Sequence, residues 1–87
     1  MNNQPQVTPY FFDSTIYWSE GDERSHFEWM KRINCVNNVF GRGTRLFLEI
    51  AEKDVTADDY RELTALYRRY GGDLAQLAHL EEVNAKN

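Results

Sequence analysis

The rhythm of apolar and polar positions changes repeatedly along this chain, and each change marks an element. From Tyr10 to Ser19 the run YFFDSTIYWS is dense in aromatic and β-branched residues, as a strand requires. Alternation puts Phe12, Ser14, Ile16 and Trp18 on one face and Phe11, Asp13, Thr15 and Tyr17 on the other. From Glu20 the period lengthens. At about 100° per residue, His26, Phe27, Trp29, Met30 and Ile33 form one arc, with Glu23, Glu28, Lys31 and Arg32 mostly outside it. Ser19, followed by Asp22 three residues later, is a loose capping box that starts this helix. The basic residues of its last turn suit the helix dipole.

A hairpin follows. Val36 to Phe40 reads as a short strand, GRGT as a glycine turn, and TRLFLEIA as the clearest strand of the chain. In that strand Leu46, Leu48 and Ile50 point one way and Arg45, Phe47 and Glu49 the other. The clearest helix spans DVTADDYRELTALYRRYGG. Thr56 and Asp59 form its capping box, and Tyr60, Leu63, Leu66, Tyr67 and Tyr70 its apolar stripe. Gly71 or Gly72 supplies the left-handed closing position. Asp73 then caps a short helix, LAQLAHLEE, with Leu74, Leu77 and Ala78 inward. The order is β-α-β-β-α-α, an α+β domain with about three antiparallel strands and the helices on one face. Residues 1–87 make one domain, with a loose tail over 1–8 and a frayed end over 83–87.

This layout assigns the rings to faces. If Leu46, Leu48 and Ile50 face the helices, Phe12, Ile16 and Trp18 share that side. Phe11, Tyr17 and Phe47 are left on the opposite face beside Asp13, Arg45 and Glu49. With so few elements, that face stays half exposed, and an aromatic patch with a charged rim suits a protein partner. Cross-strand packing on a wet sheet face is the plainer account of the same rings.

Charge narrows the classes of partner. The formal net charge of −4 argues against nucleic acid, whose phosphates need a basic face, and is compatible with a basic protein partner, whose association it would speed. The helix–glycine–helix pattern ending in LAQLAHL offers Gln76 and His79 but no Arg or Lys before Lys86, which weakens any DNA-reading role. One cysteine forbids an internal disulfide, and no apolar run approaches membrane-spanning length, so no membrane partner is expected and the expected location is the cytoplasm.

Chemistry finds little support. His26 lies within the first helix's apolar arc, about 200° from Glu28, and reads as a satisfied, partly buried histidine. Cys35 and a histidine have no identifiable third group to orient them, so Cys35 reads as structural. Asp58 and Asp59 are adjacent and so diverge on a helix, and two distant histidines do not make a metal site. Gly41–Gly43 lacks the Lys-Ser/Thr of a phosphate loop and leads into a strand. The expectation is no enzyme, no cofactor and no metal.

The layout HFEWMKRINCVNNVFGRGTRLFLEI followed by DYRELTALYRRYGGDLAQL resembles, over roughly residues 20–80, the small acidic immunity proteins of bacterial contact-dependent growth inhibition systems. The resemblance implies a non-enzymatic protein that neutralises a cognate toxin, often a nuclease, by tight binding. It carries over no individual residue. Independently, acids gather at both helix starts: Glu20, Asp22 and Glu23, then Glu52, Asp54, Asp58 and Asp59. Convergence of these groups at one end of the sheet would frame the rings with an acidic rim, although capping alone explains Asp22 and Asp59. The expected contact residues are therefore Phe11, Tyr17 and Phe47, with Asp22, Glu23, Asp58 and Asp59 steering a basic partner. The alternative is a small homodimeric structural or regulatory protein, including a phage-encoded inhibitor of host machinery, that buries the same face against its own copy.

Overall fold

The computed structural model describes residues 8–80. The tail expected over 1–8 and the frayed end over 83–87 lie outside that range, except Thr8, whose hydroxyl donates to the Leu48 carbonyl at 2.8 Å. The element order is β1 (Phe11–Asp13), α1 (Glu20–Arg32), β2 (Val36–Arg42), β3 (Arg45–Ile50) and α2 (Ala57–Tyr70), with 3-10 turns at Glu52–Asp54 and Leu74–Leu77. The expected α+β architecture is present, as one antiparallel sheet in the order β1-β3-β2.

Local chemistry sets most boundaries. The hairpin turns through Gly43 and Thr44; Gly43 holds φ +62°, whereas Gly41 lies within β2 opposite Leu46. The N-caps predicted for the two long helices form. The Asp22 N–H donates to Ser19 Oγ at 3.1 Å, and Thr56 and Asp59 close a full capping box. Of the two glycines after α2, Gly71 takes the left-handed φ of 75°. Gly72 serves differently: a Cβ there would fall 2.5 Å from Tyr67 and 2.9 Å from Phe12, so only glycine lets this turn pack on the core.

The core lies between the sheet's inner face and the helices. Phe12 and Leu48 meet Met30 and Ile33 of α1 and Leu63, Leu66 and Tyr67 of α2, with Leu77 and Leu80 closing one end. Full burial of such side chains contributes about 1.5–3 kcal/mol each. The last segment corrects the expected pattern. Leu77 and Leu80 are buried, while Leu74 and Ala78 are exposed. The tight 3-10 turn has a period nearer three than 3.6 and shifts the inward positions. The Gln76 side-chain carbonyl accepts the Phe11 N–H and the Tyr67 hydroxyl, each at 2.9 Å, and so occupies part of the open edge of β1.

α1 and α2 run antiparallel. The start of α1 meets the end of α2 through Asp22 and Arg69, while Trp29 Nε1 donates to Glu62 at 2.9 Å near the other end. The two acidic helix starts therefore lie at opposite ends of the pair, and the expected convergence of Asp22 and Glu23 with Asp58 and Asp59 does not occur.

Candidate functional site

The first strand is much shorter than its composition suggests. Ser14 takes φ 54°, a left-handed conformation that costs a non-glycine residue about 1–2 kcal/mol. Its N–H still donates to the Thr44 carbonyl at 2.9 Å, and beyond it the chain leaves the sheet. Alternation ends there. Ile16 and Trp18, expected in the core, stand 80% and 88% exposed. Tyr17, expected on the outer sheet face, is half-buried against α1 and α2.

Tyr17 anchors the loop. Its hydroxyl is hydrogen-bonded to His26 Nδ1 at 2.7 Å. The His26 ring is fully buried, stacks on Tyr70 at 4.0 Å and 14°, and meets Phe12 edge-on at 4.5 Å. Burial pushes its pKa down to about 4, against the opposing charge of Asp22, so the imidazole is neutral at neutral pH. His26 is satisfied at one nitrogen only: Nε2 is buried with no hydrogen-bond partner among the described residues.

Asp22 ties down the other side. Its carboxylate accepts the Trp18 N–H at 3.1 Å and lies 3.6 Å from Arg69 Nη2. Only 11% of that side chain is exposed, so Asp22 organises the loop and is not a free steering charge. Ile16 and Trp18 thus project from a short segment held at Ser14, at Tyr17 and at the Trp18 backbone, with exposed Glu20 and Glu23 beside it in the first turn of α1.

The other expected contact residues fall elsewhere. Phe11 and Phe47 do share the outer face, in a row completed by Phe40. The ring centroids lie 5.6 Å and 5.3 Å from that of Phe47. Phe47, on the central strand with a ring on each side, is only 3% exposed and is not available as a contact. Arg45 lies 4.5 Å over the Phe11 ring and pairs with Asp13 at 3.4 Å. Asp58 is exposed and paired with Arg61. Asp59 is buried in its own capping box near Cys35. Burial, with the Asp59 charge second, pushes the Cys35 thiol up to about 11, the reverse of an activated nucleophile.

Beneath the loop, where the end of β1, the hairpin turn and the first half of α1 meet, an open cleft of about 370 Å³ is lined by Phe12, Tyr17, Phe27 and Leu46, with Glu23 and Arg45 among its polar residues. The exposed Ile16–Trp18 pair and this cleft were both missed by sequence reasoning. A signal for the first was present: Asp13-Ser14, two turn-favouring residues, interrupt the aromatic run, and the cap at Ser19 forces a change of direction just after Trp18.

Among the described residues no cluster of three or more His, Cys, Asp or Glu is placed to hold a metal ion, and no helix is long and apolar enough to cross a membrane. No family model matches the chain, and neither the curated proteins nor the solved structures contain a significant match.

Proposed function

We propose that this chain is a non-enzymatic binding protein that docks a protein partner on the Ile16–Trp18 loop and acts as an immunity-type inhibitor of a basic toxin. The observation that carries the docking reading is the near-complete exposure of Trp18 and Ile16 on a segment pinned from three sides. Large apolar side chains held in water have little to contribute to folding. Tryptophan is a favoured binding anchor, and a loop that is already ordered loses less entropy on docking. The acids beside it, Glu20 and Glu23, and the net charge of −4 favour a basic partner and raise its association rate. The inhibitor role rests on the resemblance to immunity proteins together with this charge. The raised Cys35 thiol and the sealed His26 support a role without catalysis.

The test is affinity capture from the source lysate with the native chain and with an Ile16→Ser/Trp18→Ser variant. One basic protein held by the native chain, released by the variant, and silenced in its own toxic activity by the native chain is the expected result. Capture unaffected by the variant overturns the docking site. A captured protein whose activity the chain leaves unchanged overturns the inhibitor role. A concentration-dependent dimer in sedimentation, abolished by the variant, replaces the foreign partner with a second copy.

A further inference from the structure

The cleft under the loop has an apolar floor, with one acid and one base in its lining. Phe12, Phe27 and Leu46 line it from β1, α1 and β3, and Tyr17 brings the loop to its edge. Two charged residues reach it, and their situations differ. Arg45 is already engaged by the Asp13 carboxylate and by the Phe11 ring. Glu23 is exposed and has no cation partner among the described residues. An occupant that completes the site needs a narrow apolar portion for the floor and a positive group for Glu23.

We infer that this cleft receives an arginine or lysine side chain of the protein partner, its methylene stem against the half-buried Phe27 and Leu46 and its charged head on Glu23. Long basic side chains are built for such a site, since they bury an apolar stem while the head stays near solvent. A neutral apolar side chain leaves Glu23 as it is, and an acidic one meets Glu23 as a like charge. The inference rests on the reading that the adjoining loop docks a protein, because Ile16 and Trp18 would bring the partner's chain across the cleft. It adds the identity of the side chain that enters.

The test uses the full chain and small probes, read by chemical-shift titration. Nα-acetyl-arginine amide and Nα-acetyl-lysine amide are compared with Nα-acetyl-citrulline amide, which keeps the stem but is neutral, and with Nα-acetyl-glutamate amide. The expected result is saturable shifts at the Leu46 methyls and the amides of residues 23–27 and 43–45, with dissociation constants on the order of 1 mM for ligands this small. Citrulline should bind roughly two- to fivefold more weakly, the range for one exposed ion pair. Glu23→Gln should erase that preference, while Glu20→Gln, outside the lining, should keep it. Equal binding of arginine and citrulline, preference for the glutamate probe, shifts elsewhere on the surface, or no saturable shift each overturn the inference. Its failure is separable from that of the docking reading. Loss of capture by the Ile16→Ser/Trp18→Ser variant with no arginine preference sinks the cleft alone. Intact capture by that variant sinks the docking loop whatever the probes do.

Discussion

Two aromatic groups in this chain have opposite fates. Phe11, Phe47 and Phe40 form a row across three strands, and the middle ring is only 3% exposed. Tyr17 and Trp18 sit on a loop that has left the sheet, one turned in to His26 and the other out into solvent. Local composition does not separate them. Backbone pairing does: Phe47 stands on the central strand with a ring on each side, while a ring beyond Ser14 has no strand partner and faces wherever the loop's anchors turn it. The two helix caps repeat the lesson. Asp59 folds back on its own cap and is buried, while the corresponding Asp22 reaches past its cap to the Trp18 N–H. One motif closes a helix, and the other also positions a surface.

The contrast is sharpest for Phe47 against Trp18. Phe47→Ala removes a buried ring and should destabilise the fold by about 3–4 kcal/mol in denaturant unfolding. A loss under 1 kcal/mol would mean the row is ornamental and the comparison fails. Trp18→Ser is the counterpart at the small end of the scale.

Acid tests the inner anchor. The folded pKa of His26, about 4, lies below its ordinary 6.5. Its contribution is therefore fully present above pH 6.5 and is lost progressively as pH falls towards 4, where the unfolded chain binds a proton that the folded chain does not. The loss should reach about 3 kcal/mol in melts between pH 7.5 and 4. His26→Phe should flatten that part of the profile, whatever it does to stability at neutral pH. An unchanged profile would show that His26 titrates normally and is not sealed.

Tyr17→Phe removes the hydroxyl that meets His26 Nδ1 and should cost about 1 kcal/mol. Amide exchange should quicken over residues 15–18 and stay unchanged across β2 and β3. The caps give a similar magnitude with different reach. Asp22→Ala and Asp59→Ala should each cost about 1 kcal/mol, but only Asp22→Ala should mobilise the Trp18 indole, read by fluorescence anisotropy against a Trp29→Phe background. Trp18→Ser should change stability by no more than about 0.5 kcal/mol, because its indole makes almost no folded-state contact. A larger effect would make it a structural residue and remove the basis of the docking reading.

Periodicity and caps determined much about this protein without any tertiary information. The helical arcs from His26 to Ile33 and from Tyr60 to Tyr70, the caps at Ser19 and Thr56, a left-handed glycine at Gly71 or Gly72 and the shared face of Leu46, Leu48 and Ile50 are all local consequences of side-chain spacing and backbone sterics. The burial of Cys35 followed from its character as a small hydrophobe. Tertiary structure alone decided the rest. Antiparallel packing of the helices separated the two acid groups, a strand order with β3 in the centre put a ring on each side of Phe47, and contacts with His26 and Asp22 decided that Tyr17 turns in and Trp18 out. Those outcomes depend on which segments become neighbours. Pairing and enclosure are set by contacts between residues far apart in the chain, and a local pattern records which way a side chain points but not what comes to lie against it.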